Sequence, residues 1–496
     1  MNDFYSIAAL LGWVALGLLG LLLVVTLLRA ALFRPKATAA NPLPDETADA
    51  ERAATHLSQA IQIPTVSYPE QERVDWHQFE RFHAFLEESF PLLHKTLTRE
   101  VHQQANLMYR WQGTDPGLKP IALLSHQDVV PVSPGTESDW THPAFSGHND
   151  GEYIWGRGAM DMKNHLICAM EAVETLLEEG YQPARDVYLL FGQDEEVVGA
   201  EYSGAKSMCQ ILRERGVLLE STLDEGGAML PINVKGVLKN AVLAGIGVSE
   251  KGYADFEISV SAKGGHSSQP PAHTALGDLA AIIRRLEKRQ FKAKLLPYLQ
   301  KLIENAGRRM PYPLRLFVVN QRLLRPVILA AMKKIPFAAC MVRTTTAVTQ
   351  AQGSPACNVL PQKAVAVANF RMMPGTTAAD VQTHIERCCK GFNATVKLLK
   401  CNEASPFSPT DSNSYRVLAS LVQNSHPEAI ITPYLVMGGT DSHYYNPICD
   451  CTYRFSPFLT DLKLLLCTHA TNERIPVETL GEGVKFFKRY IKGAGQ

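Results

Sequence analysis

Three consecutive carboxylates, Asp194, Glu195 and Glu196, follow the apolar stretch Val187 to Phe191 within FGQDEEVVG. Like charges set side by side repel, and a run of acids is most often a solvated turn. The stretch before them reads as a short buried strand, however, and the carboxyl end of a buried strand is where open α/β sheets hold their ligands. A metal ion there would offset the repulsion. One glutamate would bind it while its neighbour, pointing elsewhere, moves a proton.

The same placement recurs along the chain. The apolar run Ile121 to Leu124 leads into Ser125-His126-Gln127-Asp128, where a two-residue period puts His126 and Asp128 on one side of an extended segment. A single histidine at a strand end is usually a hydrogen-bonded structural residue. Val217 to Leu223 leads in turn into Asp224-Glu225-Gly226-Gly227. Asp161, in WGRGAMDMK, opens a helix, where an acid ordinarily complements the macrodipole. The glycines on either side of Arg157 instead suggest a backbone bent to aim Asp161. An imidazole and several carboxylates at three successive strand ends form the donor set of a zinc or similar divalent site.

Strands alternating with helices must position these groups. Ala53, Ala54, Leu57 and Ile61, and then Trp76, Phe79, Phe82, Leu86 and Phe90, recur at helical spacing, and Leu166 to Leu177 does so after Asp161. The expectation is an α/β fold: a mostly parallel sheet with helices on both faces. From Val248 the pattern becomes a strict alternation, Ala254, Phe256, Ile258, Val260, that predicts an inserted antiparallel sheet in a separate α+β domain ending near Pro374. Its middle, Phe291 to Phe337, mixes basic and apolar residues. Amphipathic helices packed on their own domain are the expectation there, with a membrane-facing or interaction surface as the alternative. The expected units are an anchor (1–36), a tether (37–49), the first catalytic segment (50–247), the inserted domain (248–374) and the second catalytic segment (375–496).

Ile7 to Leu28 carries no charge and is long enough to cross a bilayer as one helix. Met1 to Ser6 lacks the basic segment of a leader, which favours a single-pass anchor, although Ala37-Thr38-Ala39 resembles a cleavage site. Arg29, Arg34 and Lys36 would put the far end in the cytoplasm, but they leave the membrane face of the catalytic body open. With 49 basic and 49 acidic residues, no global field draws the chain to nucleic acid. Ten cysteines without paired CxxC spacing indicate no zinc finger and leave the redox compartment open.

Taken together, SHQDVVPV, WGRGAMDMK, GQDEEVVGA, TLDEGG, GGHSSQP, NVLPQKA with ANFRMMPG, GGTDS and THATNERI resemble the zinc metallopeptidase and amidohydrolase family of aminoacylase, carnosinase and carboxypeptidase S. Its carboxypeptidase S and N-fatty-acyl-amino-acid synthase/hydrolase branch is the most similar. The resemblance implies two zinc ions per subunit, bridged by Asp161, with His126 and Asp224 on one and Glu196 and His469 on the other. It implies Glu195 as general acid/base and Asp128 as the residue orienting His126. It also implies a homodimer in which the inserted domain is a lid and His266 reaches the partner subunit's site, with Asn358 and Arg371 binding substrate. His443 in GGTDSHYY competes with His469 as a ligand; Asn472-Glu473-Arg474 favours His469. The expected activity is hydrolysis of peptide or N-acyl-amino-acid amides by a metal-activated water. The rivals are a plain dipeptidase or carboxypeptidase without lipid preference, and a catalytically silent membrane-anchored scaffold.

Overall fold

Ile121–His126 is buried along its whole length because alternate residues face two different helical layers. Leu123 joins the cluster with Leu166, Val173 and Leu57, whereas Leu124 joins Met208 and Leu212 on the other face. Helices therefore cover both faces, as the continuous apolar run predicts. The computed structural model describes residues 2–35, 46–197 and 203–495. Residues 37–45 of the expected tether, with Ala37-Thr38-Ala39, lie outside the described residues, as does the end of GQDEEVVGA.

Among the described residues, the central sheet has nine strands. Its order runs Thr98–His102, Asn106–Trp111, Val187–Gly192, Ile121–His126, Ser221–Asp224, Thr452–Arg454, Leu238–Glu250, Ala429–Val436, with Ala228–Val234 folded back on Leu238–Glu250. The site-bearing strands pair in parallel, while the flanking pairs include antiparallel ones. The strand expected from Val217 begins only at Ser221, because the N–H of Val217 bonds back to the carbonyl of Leu212 and that of Leu219 to the carbonyl of Ile448.

A second sheet of four antiparallel strands follows the order Thr345–Gln352, Lys363–Met372, Gly252–Ser261, Ala394–Asn402. The unit extends past Pro374. Val381, Ile385 and Cys388 of helix Ala378–Cys389 pack into the same core as Phe256, Ile258 and Phe370. Ala394–Asn402 lies at an edge of this sheet and none of its residues is fully buried.

The basic-apolar stretch behaves differently from the expectation that it packs on its own domain. Tyr298 and Leu299 of helix Pro297–Gly307 belong to the core of the catalytic body, and Asn305 donates to the carbonyl of Ile431 at 2.8 Å. This helix packs against the strand Ala429–Val436 of the catalytic body. Near the N-terminus, helix Asn2–Leu32 contains one stretch, Leu10–Leu32, long and apolar enough to cross a membrane by length and composition.

Candidate metal centre and active site

His126 ends its strand opposite Gly192, the last residue of Val187–Gly192. The two parallel strands release the chain at one level, so His126, Glu195 and Glu196 arrive together. Asp128, fully buried, ties them to one another. Its carboxylate accepts the backbone N–H of Glu195 at 3.2 Å and of Glu196 at 3.1 Å, and the Ser67 hydroxyl at 2.6 Å. His126 Nδ1 sits 2.9 Å from the Asp128 carbonyl and 3.3 Å from its carboxylate. Nδ1 thus acts as the donor, leaving Nε2 as the atom turned toward the cluster.

Asp161 arrives on the loop that opens helix Lys163–Glu178. Gly156 and Gly158 take φ values of 148° and 89°, the bend that the glycines around Arg157 predict. The buried carboxylate of Glu473 holds this loop: Oε1 accepts N–H groups of Gly158, Met160 and Asp161 at 3.0, 2.9 and 3.2 Å, and Oε2 accepts from Arg157 at 2.6 Å. Strand Arg474–Pro476 pairs with Tyr153–Trp155 just before the loop, so the segment bearing His469 and the loop bearing Asp161 are fixed as one piece.

Asp161 faces both imidazoles. Oδ1 lies 3.1 Å from His126 Nε2 and Oδ2 lies 3.0 Å from His469 Nε2, which is also 3.0 Å from Glu196. Ligand atoms of His126, Asp161 and Glu196 fall within 4.8 Å of one another, and so do those of His126, Glu195 and Glu225. Asp224 stands beside this cluster with Oδ1 accepting the N–H of Glu225 at 2.9 Å and Oδ2 that of Ser442 at 2.8 Å. Glu225 Oε1 is 3.6 Å from His126 Nε2. Glu225 is the group that sequence reasoning passed over. Its signal was the same acidic doublet after a strand that singled out Glu195 and Glu196.

The remaining residues divide by location. His443 bonds the Thr440 carbonyl through Nδ1 at 2.6 Å and lies outside both ligand groups. Arg371, on strand Lys363–Met372, lines the same cavity as Glu195, with its guanidinium 4.8 Å from the Tyr253 ring centroid. Lys251 lines it too. His266 and Asn358 sit apart from that cavity, both exposed, on the ribbon where Gly265 and His266 pair with Leu360 and Val359.

Burial pushes the Glu196 carboxyl up to about 7, with Asp161 adding repulsion, and pushes Glu225 up to about 8 for the same two reasons. Glu195 is driven well above the carboxylate range by burial and by Glu225 and Glu196. Hydrogen bonds to Asp161 and Glu196 lift His469 to about 10. Burial resists ionisation of Asp161, but its bonds to His126 and His469 outweigh this and hold it below the usual range. Closely packed carboxylates with nitrogen partners are what a divalent cation resolves by supplying positive charge. A set of imidazoles and carboxylates without thiolates suits zinc or a similar ion. The residues present fit such a centre.

A parallel sheet whose strand ends converge on imidazoles and carboxylates, beside a cavity lined by Glu195, Lys251 and Arg371, defines a metallohydrolase-type site. The chain belongs to the peptidase family M20/M25/M40, whose model matches residues 122–493, and it is a hydrolase. A probable carboxypeptidase S-like 2 of Dictyostelium discoideum is 34% identical over 444 residues, covering 88% of this chain and 84% of that protein. The human N-fatty-acyl-amino acid synthase/hydrolase PM20D1 is 33% identical over 467 residues, covering 92% of this chain and 90% of that protein. Among solved structures, the M20 family metallo-carboxypeptidase Sso-CP2 of Sulfolobus solfataricus superposes with a TM-score of 0.64 at 18% identity, over 89% of this chain and 99% of that one.

Proposed function

We propose that the chain is a dinuclear zinc hydrolase that cleaves the amide bond of peptides or N-acyl amino acids bearing a free carboxylate. The observation that carries this reading is Asp161, whose two oxygens face two different imidazoles, His126 and His469. A carboxylate so placed would be shared between two ions. His126 with Asp224 would hold one ion, and Glu196 with His469 the other. Each Asp224 oxygen, although bonded to a backbone N–H, keeps a second lone pair for this purpose. When bound, the ions supply the positive charge that lowers the pKa of a water and polarises the amide carbonyl.

The protein's own groups do the rest. Glu195 takes a proton from the attacking water and returns it to the leaving nitrogen. Asp128 keeps Glu195 and the imidazole of His126 in register. Arg371 grips the substrate carboxylate, a task for which its planar donor fork is suited. His266 and Asn358 serve the site of a second subunit, which is why they stand apart from the cavity in one chain, and this requires a homodimer with the second sheet as its lid and interface. The names of the two relatives, a probable carboxypeptidase and an N-fatty-acyl-amino acid synthase/hydrolase, both include hydrolysis that releases an amino acid from an amide. The stretch Leu10–Leu32 serves as a single-pass anchor.

The test is turnover by the purified full-length chain, with metal content measured in parallel, on a panel of dipeptides and N-acyl amino acids of increasing chain length. Two zinc ions per subunit with amide hydrolysis are expected. Metal without turnover of any amide would sink the activity and leave a scaffold.

A further inference from the structure

The segment between Asn305 and Met341 contains seven Arg and Lys residues and no Asp or Glu. Among the described residues only one of the seven, Arg308, has a carboxylate partner, Glu304 at 3.0 Å. The segment forms three further short helices after Pro297–Gly307: Tyr312–Val319, Arg325–Met332 and Pro336–Cys340. Their side chains are amphipathic in an unusual sense, because much of the apolar surface faces outward. Phe317 is 52% exposed, Leu323 75%, Val327 57%, Ile335 59% and Phe337 66%. A water-facing surface that is both strongly basic and studded with large apolar groups fits an interface with negative charge above and hydrocarbon below.

Its position supplies the depth. The Tyr312 hydroxyl donates to the carbonyl of Leu27 at 3.1 Å, Arg308 donates to the carbonyl of Arg34 at 3.4 Å, and the Arg308 guanidinium stands 4.5 Å from the Phe33 ring. Ala30 is fully buried there. At 1.5 Å of rise per residue, Leu27 is roughly 7 to 8 Å inside the end of a span that finishes at Leu32. That matches the roughly 5 to 10 Å to which interfacial helices sink their apolar faces. Tyrosine is moreover a residue type found at the membrane boundary.

We propose that residues 308–337 are a membrane-docking apron that lies in the headgroup region of the leaflet on the catalytic body's side and selects anionic lipid. The proposal rests on the reading of Leu10–Leu32 as a span. It adds a second contact that fixes the tilt of the body against the bilayer. The apron continues into Cys340 and Arg343, whose carbonyls accept from Lys251 of the active-site cavity at 3.1 Å, so the docked helices and that cavity are mechanically joined.

The test is hydrogen exchange of the full-length chain in vesicles of phosphatidylcholine alone and of phosphatidylcholine with one-third phosphatidylserine. Amides of Tyr312–Val319 and Arg325–Met332 are expected to exchange on the order of tenfold more slowly in the anionic vesicles, and this difference should vanish in high salt. The variant Arg309→Glu/Arg322→Glu/Lys333→Glu should lose the lipid dependence while exchange in the central sheet is unchanged. Phe317→Ser/Leu323→Ser should lose protection in both lipids. Equal exchange in the two vesicle types, or protection that arises only on adding an acidic protein, overturns the proposal. Extraction at alkaline pH separates the two readings. A chain that resists extraction but shows no anionic-lipid protection keeps the span and loses the apron; one that is extracted yet protected does the reverse.

Discussion

Glu473 and Arg157 form an ion pair at 2.6 Å with both side chains buried, and the same carboxylate accepts the backbone N–H of Asp161. Glu473 is thus a positioning residue for the proposed metal centre although it touches no candidate ligand atom of the cluster. Glu473→Gln leaves the Arg157 charge uncompensated, which should cost about 3 to 5 kcal/mol of stability. Metal affinity should fall in the folded fraction as the Asp161 loop loosens. Denaturant unfolding with parallel metal titration measures both; unchanged metal affinity would reduce Glu473 to a purely structural pair.

Glu195 and Glu196 leave the same strand but meet different partners, since only Glu196 reaches His469. Glu195→Gln should retain both metals and lose about 10²-fold or more in kcat, the scale of a general base. Glu196→Gln should lose metal. The opposite pattern in metal analysis would exchange the two roles.

Asp224 and Glu225 pose the comparable question at the other ion. Asp224→Asn should bind one ion fewer per subunit, whereas Glu225→Gln should keep both and alter the charge around Glu195. If Glu225→Gln is the variant that loses an ion, Glu225 is the ligand that His126 shares, as its 3.6 Å approach would then explain.

Burial pushes the Lys251 ammonium in the cavity down to about 8 from an ordinary value of 10.5. Between those two values the unfolded chain holds more protons at this residue than the folded one, so its contribution to stability rises with pH across that window. Its contribution to binding runs the other way. KM for a carboxylate-bearing substrate should rise above about pH 8 as the cation is lost, and Lys251→Met should abolish that limb of the KM profile. A limb that persists in Lys251→Met assigns it to another group.

His266 lies on an exposed ribbon away from the cavity lined by Glu195. Mixing His266→Ala subunits with Glu195→Gln subunits should restore activity, because one site of each heterodimer then receives an intact base and an intact histidine. Verified heterodimers without activity would confine His266 to a local role.

Much of the site was legible because strand periodicity is a local property. Ile121 to Leu124 is apolar without interruption, so His126 had to emerge at the end of a buried strand, and the acids after Phe191 followed by the same logic. What escaped is long-range. Nothing local in Asp128 shows that it accepts the amides of Glu195 and Glu196, because those bonds exist only once two strands lie side by side. Nor does local pattern distinguish Asp224 from Glu225, where a rotation of one residue about the strand end decides which carboxylate meets His126. The helix Pro297–Gly307 was readable as amphipathic, but a stripe of apolar residues does not say which core it will join.

Strand Thr452–Arg454 is inserted between Ser221–Asp224 and Leu238–Glu250, so the middle of the central sheet is filled by a segment that leaves the ribosome about 230 residues after its parallel neighbour. At roughly 5 to 20 residues per second, two inner strand edges stay unpaired for about 10 to 50 s of synthesis. During that interval the nascent chain offers open backbone edges to any other extended segment, and holding by a chaperone is the natural protection. His469 emerges later still, so a nascent chain that has not reached it lacks one member of the proposed ligand set.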